Sequence, residues 1–88
     1  MVEFISNNSR YIIEDGFIKW LKKKDKLLEV VFIDKINWIW LLGDYGVLSI
    51  CKVQLHMNDE IVELFAKDYD QAKDMLETIL EEKRKMRN

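Results

Sequence analysis

The sequence of 88 residues contains no proline, three glycines, one cysteine and one histidine. The single cysteine, Cys51, excludes an internal disulfide, and this usage favours a cytoplasmic protein. One histidine without a cysteine at metal-ligand spacing excludes a zinc site, so we expect neither a metal nor another cofactor. The three glycines, Gly16, Gly43 and Gly46, stand apart at predicted turns, which excludes a glycine-rich phosphate loop.

Long apolar runs are also missing from the sequence. No apolar segment approaches the ~20 residues that a membrane-spanning helix needs, so we predict no transmembrane segment. The first ten residues, MVEFISNNSR, lack the basic start and apolar core of a secretory signal peptide. Both absences favour a cytoplasmic location.

A catalytic constellation is not apparent either. Cys51 and His56 lie five residues apart on one predicted strand, so their side chains point to opposite faces of the sheet. The serines are scattered at Ser6, Ser9 and Ser49, with no base at a useful spacing. We therefore expect a protein that is not an enzyme.

Apolar residues, by contrast, make up 49% of the chain, which is sufficient for the core of one domain spanning residues 1–88. The net charge of −2 is unevenly distributed. Residues 17–26 hold five lysines and one aspartate, residues 57–82 hold nine acids and two lysines, and residues 83–87 hold four cations. Lysine outnumbers arginine eleven to three, a usage typical of AT-rich genomes that include phages and mobile elements.

Turn signals and alternation predict five or six short strands within residues 10–66. The predicted strands are Arg10–Glu14, Phe17–Lys23, Leu27–Ile33, Ile36–Leu42, Val47–Met57 and Ile61–Ala66. Asp15-Gly16 predicts a two-residue hairpin turn, and the lysine-rich segment after it predicts the next reversal. The nearly continuous apolar run of the third strand predicts a central strand covered on both faces. Residues 1–9 carry no assignment, and their order is left open.

The hydrophobic period changes at Asp68 and predicts a helix over residues 68–86. Its apolar stripe consists of Ala72, Met75, Leu76, Ile79 and Leu80. Asp68 with Gln71 three residues later predicts an N-terminal cap. The stripe ends at Leu80, so we expect the last turns to project from the body.

These elements predict an α+β fold, an antiparallel meander bent into a curved sheet or partial barrel and closed by one C-terminal helix. The segments FIKWLKKKDKLLEVVFIDKI and EIVELFAKDYDQAKDMLETIL follow this order. The pattern resembles the small bacterial and phage members of the pleckstrin-homology-like superfold. That resemblance implies a fold used mainly to bind proteins or phosphorylated groups.

Two basic segments are candidate anion sites. The first is the lysine-rich hairpin, with Lys19, Lys22, Lys23, Lys24 and Lys26. The second is the C-terminal tail, with Lys83, Arg84, Lys85 and Arg87. Both also fit a simpler interpretation, since a hairpin turn must be polar and a helix end is commonly solvated. Nucleic acid and phosphorylated small molecules are the ligands that such charge favours.

The aromatic residues give the candidate protein-binding surface. Trp38 and Trp40 share one face of a strand with Ile36 and Leu42, so we expect them in the core. Trp20 is expected to be partly exposed. Together with the turn residues Asp44 and Tyr45, Trp20 forms the predicted partner surface.

The function expected from the sequence is therefore a small protein-binding module of phage or mobile-element character that acts on a host factor. The alternative is an anion-binding module that uses the lysine-rich hairpin. Self-association is a further expectation, either through Arg10–Glu14 or Ile61–Ala66 as an edge strand or through pairing of the oppositely charged segments.

Overall fold

A computed structural model describes residues 1–6, 8–22, 24, 26–43 and 51–86 of the chain. Within these residues, seven strands precede one α-helix. The strands are β1 Val2–Ser6, β2 Ser9–Glu14, β3 Phe17–Lys22, β4 Lys26–Phe32, β5 Trp38–Leu42, β6 Cys51–His56 and β7 Ile61–Ala66. A 3-10 turn, Ile33–Lys35, separates β4 from β5, and the helix α1 is Tyr69–Lys85.

The first sheet is an antiparallel meander with the order β1-β2-β3-β4. Asp15 and Gly16 join β2 to β3 with positive φ angles of 47° and 84°, as a tight two-residue hairpin requires. The predicted hairpin is therefore confirmed. At the far end of β3 the ladder shifts register between Trp20 and Leu21, and the chain then reverses into β4.

The second sheet is an antiparallel meander with the order β5-β6-β7. Cys51, Val53 and Leu55 are buried, whereas Lys52, Gln54 and His56 alternate with them on the outer face. This alternation confirms the inward and outward faces predicted for β6. Residues 44–50, which the sequence assigned partly to the same strand, lie outside the described residues.

The helix α1 begins as predicted. Asp68 is extended, and its carboxylate accepts a hydrogen bond from the Gln71 backbone N–H at 2.8 Å. The Gln71 side chain accepts a hydrogen bond from the Lys67 N–H at 2.9 Å, so two backbone donors at the helix start are satisfied. Ala72, Met75 and Ile79 are buried against the sheets, as their spacing predicted, whereas Leu80 of the predicted stripe is 43% exposed.

The last turns of α1 do not project from the body, contrary to the prediction. Lys83 Nζ donates to the carbonyl oxygens of Ile36 at 2.7 Å and Ile33 at 3.4 Å. The side chain of Met86 reaches Gly16, where a Cβ atom would lie 3.3 Å from Met86 Cε. The amphipathic stripe ends at Leu80, but a flexible lysine and a methionine continue the contact beyond it.

The helix and the two sheets enclose a shared core. Tyr11 is fully buried in the first sheet, and its hydroxyl accepts a hydrogen bond from the Phe65 N–H of the second sheet at 3.0 Å. The radius of gyration is 12.5 Å, close to the ~12 Å of a compact domain of this length.

The predicted α+β class and the antiparallel meander with one C-terminal helix are confirmed, and three details are corrected. The described residues form seven strands rather than five or six, because β1 adds a strand within residues 1–9. They form two separate antiparallel sheets rather than the single bent sheet predicted. The apolar strand β4 lies at a sheet edge rather than at its centre.

Candidate functional site

Two tryptophans lie on the outer face of the second sheet rather than in the core. Trp38 is 52% exposed and Trp40 is 53% exposed. The alternate residues of β5, Ile39 and Leu41, pack against the core instead. Both faces of this strand are apolar, so alternation alone did not decide which face turns inward. The prediction of core tryptophans was therefore wrong.

The imidazole of His56 holds the two indole rings in place. Its ring stacks on Trp38 with a centroid separation of 4.7 Å and contacts Trp40 at 5.7 Å. Trp38 faces His56 across the ladder, which brings these rings together on adjacent strands. His56 Nε2 donates in turn to Gln54 Oε1 at 2.6 Å.

A row of polar contacts continues from His56 across the centre of this face. Gln54 Nε2 donates to Glu63 at 3.0 Å, and Lys52 Nζ lies 2.7 Å from the same carboxylate. The hydrogen bonds from Lys52 and Gln54 hold the pKa of Glu63 below its ordinary value. Each side chain of this row has a hydrogen-bond or ion-pair partner, so the row holds the surface around the tryptophans in one arrangement.

Apolar side chains also border the opposite side of this face. On β7, Ile61 is 55% exposed and Phe65 is 40% exposed. Ile61 is aligned with His56, and Phe65 with Lys52. We call this whole surface, formed by β5, β6 and β7, the tryptophan face. The nearest signal in the sequence is the polar face of β6, since Trp38 and Trp40 pair with His56 and Gln54 of that face in the structure.

The free edge of β4 is a second exposed surface. Leu28, Val30 and Phe32 are exposed on the outer face of the first sheet. Beside this edge lies a groove of about 430 Å³ between β4 and the turn that joins β6 to β7. Among the described residues that line it, Asp34, Asp59 and Glu60 are acidic and Lys35 is basic.

The lysine-rich hairpin joins β3 to β4, as predicted. Lys22, Lys24 and Lys26 are exposed, and Lys24 has a positive φ of 62°. These three residues form no ion pair with another described residue, and we call them the lysine tip. Lys23 lies outside the described residues. Lys19 is set back from the tip, 5.3 Å above the ring of Phe17.

The basic residues near the helix end differ from the lysine tip because they bind other groups of the same chain. The ammonium group of Lys83 donates hydrogen bonds to the backbone carbonyls of Ile33 and Ile36. Arg84 pairs with Glu81 at 3.3 Å, and Lys85 lies 3.7 Å from Glu82. Arg87 lies outside the described residues. Lys83, Arg84 and Lys85 thus already have partners in the chain.

The partner surface predicted from the sequence is described only at Trp20. This side chain is partly buried against the core, and its Nε1 donates to Ser9 Oγ at 3.1 Å. Its ring also lies 5.9 Å from that of Tyr11. Asp44 and Tyr45 lie outside the described residues, so their grouping with Trp20 stays a prediction.

The described part of the chain has neither a metal-binding cluster nor a membrane-spanning helix. No group of three or more histidine, cysteine, aspartate or glutamate residues there is arranged to hold a metal ion. Within the same residues, no helix has the length and apolar character needed to cross a membrane.

Comparison with known proteins gives no relative. No protein-family model, no curated protein and no solved structure matches this chain. The functional argument therefore depends on the surfaces described above.

Proposed function

We propose that this protein is a small binding module that docks another protein on the tryptophan face. One observation carries the proposal: Trp38 and Trp40 are about half exposed while they are held by stacking against His56. The partner it fits is a folded protein that presents an apolar patch. Such a patch would cover both indoles and the exposed side chains of β7.

The physical argument concerns what the exposed rings gain on docking. Large exposed apolar surfaces are uncommon on monomeric proteins and mark interaction sites. Tryptophan is enriched among residues that dominate binding energy, since it buries a large area. The contacts of His56, Gln54 and Glu63 reduce the ordering that binding requires, so less affinity is lost.

The resemblance to the pleckstrin-homology-like superfold is part of this proposal. A meander of strands followed by one C-terminal helix is the order on which that resemblance depends. A superfold used mainly for binding agrees with a non-enzymatic role. The lysine-rich composition supports a phage or mobile-element protein whose partner is a host factor.

The test compares three immobilised proteins in an extract of the native host. The test variant is Trp38→Ser with Trp40→Ser. The matched control is Val2→Ser with Leu80→Ser, which removes two exposed apolar side chains elsewhere. We expect a partner that the wild type and the control retain and the tryptophan variant loses.

Titration of the purified partner then gives the size of the effect. Loss of a dominant tryptophan weakens binding by about 2 kcal/mol, which is roughly 30-fold in Kd. Circular dichroism confirms that each variant is folded. Equal Kd values for the tryptophan variant and the wild type would reject the tryptophan face as the docking surface.

A second candidate function, anion binding, is favoured by the lysine tip. Its lysines are exposed and lack acidic partners among the described residues. Four phosphate contacts from the hairpin, including Lys23, would give a slope near −3.6 for log K against log salt on duplex DNA, at about −0.9 per contact.

The anion proposal is tested with duplex DNA and a phosphorylated small molecule at low salt. Lys22→Gln with Lys24→Gln should weaken binding and reduce the salt slope by about 2, whereas the control Lys67→Gln with Lys73→Gln should leave both unchanged. Absence of binding by the wild type to either ligand would end this proposal and leave the tryptophan face unaffected.

A further inference from the structure

The open side of β4 presents unpaired backbone groups. The Ile33 N–H donates to the Gly16 carbonyl at 2.9 Å, and Val31 faces Ile18 in the ladder. Hydrogen-bonded residues alternate along an antiparallel strand, so Val30 and Phe32 direct their N–H and C=O groups away from β3. Among the described residues, β4 has no strand partner on that side.

We propose that β4 pairs antiparallel with β4 of a second copy, so that two first sheets join across a two-fold axis at Val30. A two-fold interface uses the same surface on both copies. Residues that face each other across such a pair share one side of the sheet. In this register Val30 meets Val30 and Leu28 meets Phe32, so the exposed apolar side chains cover one another.

Charge fixes the register and the choice of a second copy as occupant. A pairing centred on Glu29 would place two like charges opposite each other, which is unfavourable. Pairing centred on Val30 avoids this contact and brings the Lys26 end of β4 in each copy toward Asp34, in the 3-10 turn of the other. Both residues are exposed.

The same arrangement explains the complementary ends of the β4 edge. The lysine tip lies beyond one end of β4, and the groove with Asp34, Asp59 and Glu60 lies beside the other half of the strand, from Val30 onward. An antiparallel two-fold places the tip of each copy toward the acidic groove of its partner. Opposite charges thus meet twice per dimer, and Lys35 is the like charge among the described residues of the groove.

This surface is separate from Trp38 and Trp40, so the dimer does not depend on the proposed docking function. It also differs from the strands first considered for self-association. Arg10–Glu14 belongs to β2, which lies between β1 and β3. Ile61–Ala66 is β7, an edge whose Phe65 N–H is already bound by Tyr11.

The main test substitutes proline at the proposed axis and measures mass by sedimentation velocity over a range of concentrations. In Val30→Pro, the lost N–H is one that points away from β3, so the monomer keeps its ladder. We expect a concentration-dependent dimer for the wild type and a Kd at least tenfold higher for Val30→Pro. The control is Leu80→Lys, at an exposed position on α1 away from the β4 edge. We expect its dimer Kd to equal that of the wild type.

Charge reversal tests the register even if the proline variant fails to fold. Lys26→Glu alone and Asp34→Lys alone should each raise the dimer Kd roughly three- to tenfold, because each creates two like-charged contacts. The double variant should recover the wild-type Kd. An equimolar mixture of the two single variants should form heterodimers, since each opposed pair then carries opposite charges.

Three results would overturn the proposal. One is a wild type that stays monomeric at concentrations up to about 1 mM. Another is a dimer whose Kd is the same in folded Val30→Pro, and a third is failure of the double reversal to restore dimerisation. Capture of another protein's extended segment by a monomer, dependent on Val30, would assign this edge to a different partner.

Discussion

Individual side chains in this protein have local partners that set their properties. Glu63 is the clearest case, because it accepts hydrogen bonds from Lys52 and Gln54 on the neighbouring strand. Its pKa is lowered, so the contribution of this carboxylate to stability is present above the unfolded pKa. That contribution is lost as the pH falls through the folded pKa.

Replacement of Lys52 should therefore change the titration of Glu63. In Lys52→Met we expect the pKa of Glu63 to rise toward its ordinary value, because the hydrogen bond from the Lys52 ammonium group is removed. NMR titration of the Glu63 side chain measures this directly. Lys67→Met is the control and should leave the Glu63 titration unchanged. An unaltered pKa in Lys52→Met would contradict the stated cause.

Lys83 provides a second test at the scale of one residue. Its ammonium group satisfies the Ile36 carbonyl next to the 3-10 turn. Lys83→Met keeps the apolar stem but removes the donor, so we expect a loss of about 1 kcal/mol in the free energy of unfolding. Urea denaturation measures it. Lys85→Met removes only an exposed ion pair and should have little effect.

At the scale of elements, local signals determine where each strand and helix begins. Asp15-Gly16 and the Asp68 cap appear where the sequence places them, because turn and cap geometry depends on the residues themselves.

Asp68→Ala should destabilise the protein by about 1 kcal/mol through loss of the cap to Gln71. Asp68→Asn keeps an acceptor and should be close to the wild type in urea denaturation, and equal loss in both variants would exclude the cap as the cause.

The neighbours of each strand were less predictable than the strands. The apolar run of β4 indicates a buried strand, yet β4 is an edge whose Leu28, Val30 and Phe32 are exposed. Periodicity describes the faces of a strand and contains no information about its neighbours. β1 was missed although Asn7-Asn8 follows it in the sequence, and asparagine pairs commonly mark turns.

The candidate site was predicted only in part for the same reason. The polar face of β6 follows from alternation, and the structure confirms it. The exposed tryptophans depend on which apolar face of β5 turns inward, and that choice is made by packing against the rest of the core. Ile39 and Leu41 fill that space, so the larger indole rings lie outside it.

At the scale of the whole molecule, the two sheets are joined through Tyr11. Its hydroxyl accepts a hydrogen bond from the Phe65 N–H. This N–H points away from β6 and so has no partner in the β6–β7 ladder. Tyr11→Phe should lower the free energy of unfolding by about 1–3 kcal/mol, because a partly buried donor loses its partner. Urea denaturation should show this loss, together with faster thiol labelling of the buried Cys51. Thr78→Val, which removes a hydroxyl that bonds within α1, is the control.

The same tyrosine gives the protein an alkaline limit. Burial raises the pKa of Tyr11 above its ordinary value of 10.0. Its stabilising contribution is therefore complete below pH 10.0 and declines as the pH rises toward the folded pKa. Stability measured from pH 8 to 12 should fall more steeply in the wild type than in Tyr11→Phe. Parallel curves would contradict this assignment.

Val2 and Lys85 line one shallow groove beside α1. The first strand and the last helical turn thus come together, although they are distant in the sequence. A short peptide joining these positions would make a backbone ring, and cutting it at the Asn58–Asp59 bend would give a circular permutant with every strand pairing intact. The order of the strands along the sequence could therefore change while their pairing in the two sheets stays the same.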